Sequence, residues 1–145
     1  MTSKLAKYAI AALLIAGGAS AAHASPAPGA ATPIGVWLFQ NHRFAIQIDP
    51  CGDELCGKVT WLKKPCTDSK NEDPALRSRP VLGIMVLNGL RRTADGTWEG
   101  GEIYNPDDGG HYQASLSMND DGTLRVRAYE GVPLFGKTLR LTRMS

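Results

Sequence analysis

The sequence predicts a small antiparallel up-and-down β-barrel of about eight strands. Two observations carry this. Short runs of alternating apolar and polar residues recur along the chain, and tight-turn signals such as Ala94-Asp-Gly96, Asn105-Pro-Asp-Asp-Gly109, Asn119-Asp-Asp-Gly122 and Glu130-Gly131 separate them. Helical periodicity is almost absent. A meander without long crossovers can pair its first and last strands and so remove its exposed edges, which favours closure over a sandwich.

Gly35 to Phe39 reads as the first strand. Phe44 to Asp49 alternates, with Phe44, Ile46 and Ile48 on one face. Leu55 to Leu62 sets Val59 and Trp61 opposite Lys58 and Thr60. A long polar break, Lys63 to Arg79, follows. Within it Asp73-Pro74-Ala-Leu-Arg77 reads as one short helical turn capping the barrel. Asp73 suits the N-cap, and Pro74 the first helical position, where no amide donor is needed. Val81 to Leu90 is nearly all apolar, as a strand covered on both faces would be. The remaining strands are Thr97 to Asn105, His111 to Met118, Thr123 to Tyr129 and Lys137 to Thr142. Gly100-Gly101 within the first of these marks a bulge or sharp bend. Without a bulge, Glu99 and Glu102 face opposite sides.

The ends bear on compartment. Lys4 and Lys7 precede an apolar run from Tyr8 to Ala16, and Ala22-His23-Ala24 supplies an A-x-A site. Those three parts describe a secretory signal peptide over residues 1–24, since the run is shorter than the roughly 20 residues needed to span a bilayer. Residues 25–33 read as a disordered lead-in, and 34–145 as a single domain. Cutting near Ala24 leaves 121 of the 145 residues, and the 16 basic residues less Lys4 and Lys7 equal the 14 acidic ones. No basic stripe interleaved with aromatics points to nucleic acid, and no second apolar span points to stable membrane insertion. The expected location is the periplasm or the medium.

In such a compartment thiols pair. Cys51 and Cys56 flank a turn and form the expected disulfide, worth about 2 kcal/mol on the chain-entropy model because its loop is short. Cys66 is left as a spare thiol, a small buried hydrophobe or an intermolecular link. The spacing fits neither a C-x-x-C redox pair nor a zinc site, and Asp68, Asn71 and Asp73 depart from the calcium-loop pattern. No metal or cofactor is expected.

Candidate ligand contacts are the aromatics Trp37, Trp61, Trp98, Tyr104, Tyr112 and Tyr129, which either line a cavity or complete the core. Arg77 and Arg79 either present guanidinium forks to an anion or pair with the acids of their own loop. Nucleophilic catalysis has little support: the domain holds only His42 and His111, and no G-x-S-x-G elbow.

Five blocks in order, Gly35-x-Trp37, Cys51-Gly-x-x-x-Cys56-Gly-x-x-x-Trp61-Leu62, Asn71-x-Asp73-Pro-x-Leu-Arg-x-Arg-Pro80-x-x-Gly83, Trp98-x-Gly-Gly-x-Ile-Tyr104-x-Pro106 and Leu124-x-Val-Arg127, resemble the bacterial domain of unknown function 2147 family. The resemblance runs from about Gly35 to Arg143 and implies an exported, single-domain protein with a lipocalin-like barrel. It implies no reaction and transfers no catalytic residue. The chain has Leu141-Thr142-Arg143 where the family usually has Trp-Thr-Arg, and Ala128-Tyr129 where it usually has Gly-Tyr; Cys66 lies outside the pattern. The expected function is non-enzymatic binding of a small, largely apolar ligand, with an unidentified protein partner, as for an inhibitor or envelope accessory factor, as the alternative and an enzyme third.

Overall fold

A computed structural model describes residues 32–144. The expected signal peptide and most of the lead-in lie outside the described residues. Eight strands form a closed barrel: β1 (Gly35–Phe39), β2 (Phe44–Cys51), β3 (Glu54–Leu62), β4 (Met85–Arg92), β5 (Trp98–Asn105), β6 (Gly110–Met118), β7 (Leu124–Tyr129) and β8 (Lys137–Arg143). Each pairs antiparallel with its neighbour in sequence. β8 closes on β1 in the register Trp37–Arg143, Leu38–Thr142 and Phe39–Leu141. Closure leaves no strand edge open to another chain. Among the described residues no helix is long and apolar enough to cross a membrane.

The alternation explains what fills the interior. Ile48, Gly57, Leu87, Ile103 and Tyr112 are successive cross-strand partners from β2 to β6, so their side chains share one face. Trp37, Ile46, Ile48, Leu55, Leu90, Leu116, Leu124 and Leu141 are fully buried among them. The alternation also fails informatively in two places. Val81 to Leu90 was expected as one strand, but β4 begins at Met85. Val81 is instead tucked into the preceding loop, its amide bonded to the Cys66 carbonyl. In β5 the register shifts between Trp98 and Gly101, so Glu99 and Glu102 both end up exposed.

One end of the barrel is plugged. Trp37 is fully buried and donates from Nε1 to the Pro33 carbonyl at 2.7 Å. The Arg143 guanidinium lies 4.3 Å from the Trp37 ring centroid and donates to the carbonyls of Ile34 and Thr32 at 2.9 and 2.6 Å. This geometry explains Gly35: its φ is +136°, and a Cβ there would sit 2.5 Å from Arg143 Nη1. Thr32 and Pro33, expected in the lead-in, are thereby tied to the barrel. The opposite end gathers the β1–β2, β5–β6 and β7–β8 connections and the long β3–β4 loop.

Candidate functional site

The β3–β4 loop covers part of that second end and is locked by one buried carboxylate. Asp68 is fully buried. Its Oδ1 accepts the Tyr104 hydroxyl at 2.6 Å, and its Oδ2 accepts Asn71 Nδ2 at 2.8 Å and Arg79 Nε at 2.9 Å, with Arg79 Nη2 in ion-pair contact at 2.9 Å. Burial alone would push this carboxyl up, but the bonds from Tyr104, Asn71 and Arg79, with the Arg79 charge, outweigh it and hold the pKa below the ordinary value. Burial, together with the same contact, pushes the Tyr104 phenol up to about 12. These donors occupy the carboxylate that a calcium site at Asp68, Asn71 and Asp73 would need.

The helical turn expected at Asp73-Pro74 is present as Pro74–Leu76, with Asp73 accepting from the Ala75 amide at 2.9 Å. Arg77 Nε donates to the Asn71 carbonyl at 2.8 Å. Arg77 and Arg79 therefore both brace the loop. The β5–β6 turn packs beneath it so closely that a Cβ on Gly109 would lie 1.9 Å from the Lys70 carbonyl oxygen, at a φ of +73°.

Beside this cap the barrel is open. A cavity of about 510 Å³ occupies the mouth. Phe39, Phe44, Val86, Ile103, Ala128 and Leu139 supply its apolar wall, and Tyr104, Tyr112 and Tyr129 add hydroxyl-bearing rings. Tyr112 donates to Asp108 Oδ2 at 2.7 Å, a bond that raises the phenol's pKa. Phe135 of the β7–β8 loop also lines the mouth, though it is 80% exposed, as is Leu134 beside it.

Of the expected contact residues, the structure brings Tyr104, Tyr112 and Tyr129 together at the mouth. It places Trp37 in the plug at the far end and leaves Trp98 half-buried against the core. Trp61 is exposed; it is the register partner of Ala45, itself the partner of Leu38, so the three form an apolar row on one sheet face. The aliphatic wall was not legible, because Val86, Ile103, Ala128 and Leu139 look like any core positions in an alternating strand. Cys51 and Cys56 form a disulfide with Cα atoms 5.8 Å apart, and Cys66 is a free, exposed thiol.

A closed eight-stranded antiparallel barrel, plugged at one end, open at the other and capped by a single loop, is a lipocalin-like fold. A family model described as "Uncharacterized protein conserved in bacteria (DUF2147)" matches residues 35–143, and the chain belongs to that family. Among solved structures the fold is similar to protein HP1028 from the human pathogen Helicobacter pylori, described as belonging to the lipocalin family. The TM-score is 0.70 at 23% sequence identity, covering 77% of this chain and 82% of that one. No curated protein matches the chain.

Proposed function

We propose that this protein is an exported, non-enzymatic binding protein that holds a small, largely apolar ligand in the barrel mouth. The observation that carries the reading is where the core stops. Leucines, isoleucines and Trp37 fill the interior toward the plug, whereas about 510 Å³ stays open at the mouth behind a mostly apolar wall. That volume lies within the roughly 300–1,000 Å³ range of small-molecule sites. Tyr104, Tyr112 and Tyr129 offer rigid rings to such a ligand, with their polar tips at the rim. The Cys51–Cys56 disulfide supports an oxidising compartment.

The test is fluorescence titration with N-phenylnaphthylamine and displacement by a series of straight-chain alcohols. Each additional buried methylene contributes about 0.8 kcal/mol, so octanol should displace the probe at roughly fifteenfold lower concentration than hexanol. Ala128→Phe, which fills the mouth, should abolish the signal without unfolding the barrel. A wild-type protein that gives no probe signal, or chain-length-independent displacement, would overturn the reading.

A second reading is favoured by Leu134 and Phe135, each 80% exposed at the same end: a surface that docks a protein partner. It predicts that Leu134→Ser, at a position outside the mouth lining, weakens partner binding while probe binding in the mouth persists.

A further inference from the structure

A second cavity, about 530 Å³, lies between the β1–β2 turn, the start of the cap loop and the β5–β6 turn. Three cations line it, Arg43, Lys63 and Lys64, against the single carboxylate of Asp107. Arg43 pairs with Asp107 at 3.4 Å, and both side chains are more than half exposed. Lys63 and Lys64 have no ion-pair or hydrogen-bond partner for their ammonium groups among the described residues. The lining therefore carries a net charge of about +2. The mouth has the opposite balance: Asp107, Asp108 and Glu130 stand against Lys137 alone.

The two cavities are neighbours. Phe44 and the Asn105 to Asp107 turn line both. The Phe44 ring stacks on Phe39, centroids 4.0 Å apart, and Phe39 lines the mouth. An apolar wall thus runs from one cavity to the edge of the other, ending at unpaired cations.

We propose that the basic cavity takes the anionic head, carboxylate or phosphate, of an amphiphile whose apolar body occupies the mouth. This rests on the mouth being a ligand site and adds a head-group subsite to it. The acidic rim of the mouth repels such a head, and Lys63 and Lys64 offer rotatable donors for charge-assisted hydrogen bonds that any oxyanion can accept. A neutral head gains no charge pairing from the two ammonium groups, and a cationic head is repelled by them.

The experiment is displacement of N-phenylnaphthylamine by decanoate, decyl phosphate, decanol and decylamine at low salt, in wild type and in the variant K63Q/K64Q. Decanoate and decyl phosphate should bind wild type about fivefold more tightly than decanol, the scale of two exposed ion pairs. In K63Q/K64Q that advantage should vanish with decanol affinity unchanged. Equal binding of decanoate and decanol, tighter binding of decylamine, or an undiminished decanoate advantage in K63Q/K64Q would overturn the head-group subsite while leaving the mouth intact. Inorganic phosphate alone should leave decanoate affinity unchanged; competition by it would make the cavity a free-anion site and overturn the amphiphile. Failure of the probe and every ligand to bind wild type would sink both readings together.

Discussion

Asp68→Asn keeps the size of the side chain and removes its charge. The wild-type carboxylate is fully buried and accepts three hydrogen bonds, from Tyr104, Asn71 and Arg79, at 2.6–2.9 Å. An amide presents one acceptor and one donor, so its NH₂ group must face a donor and leave a buried partner unsatisfied. Removing one member of a buried ion pair costs about 3–5 kcal/mol, and the lower figure applies because the Arg79 side chain is 36% exposed. About 3 kcal/mol corresponds to a fall of roughly 12 °C in Tm for a domain of this size. The assay is thermal unfolding by circular dichroism at pH 7, with the exposed Asp120→Asn as a control, expected within about 2 °C of wild type. The pH dependence follows from the direction of the Asp68 shift. Its folded pKa is depressed, so its stabilisation is fully present above the unfolded value of about 3.9 and is lost as pH falls through the folded value. The gap between wild type and Asp68→Asn should therefore be constant above about pH 5 and shrink in stronger acid. A Tm loss under about 3 °C at neutral pH, or a gap that widens in acid, would refute the idea that this carboxylate locks the cap.

Tyr104 gives the mirror image at high pH. Its folded pKa is raised from 10.0 to about 12, so the stability it contributes is present below pH 10 and lost between those two values. Ultraviolet titration should show a tyrosine ionising near 12 that is absent in Tyr104→Phe, and a wild-type titration without that late step would contradict the assigned contact. At the plugged end, Arg143→Gln removes a cation–π contact and two carbonyl bonds and should cost about 2 kcal/mol by denaturant unfolding. It should leave N-phenylnaphthylamine binding unchanged, since Arg143 lines neither cavity.

The strands and the cap turn were legible because period-two alternation and turn residues are local signals. β1 runs over the expected Gly35–Phe39, and Pro74–Leu76 is the turn that Asp73-Pro74 announced. Val81 to Met85 was less legible, since an apolar run reads alike as strand or as chain buried beneath a loop. The outward placement of both Glu99 and Glu102 depends on a bulge that the glycines hinted at without fixing its position. The mouth was half legible. Its tyrosines stood out, but where side chains stop filling a barrel depends on strand stagger, which no local pattern encodes. The Asp68–Tyr104 bond spans 36 residues and the Arg43–Asp107 pair 64, so both follow from barrel closure and from no motif spacing.

The most direct measurement of the central claim is native mass spectrometry of the purified protein, followed by a denatured spectrum of the same sample. A ligand-holding mouth gives a consistent added mass that disappears on denaturation and is missing from Ala128→Phe, whose filled mouth leaves no room for it. A bare mass for wild type that stays bare after incubation with decanoate and decanol would contradict it, and would leave a barrel that works through its surface.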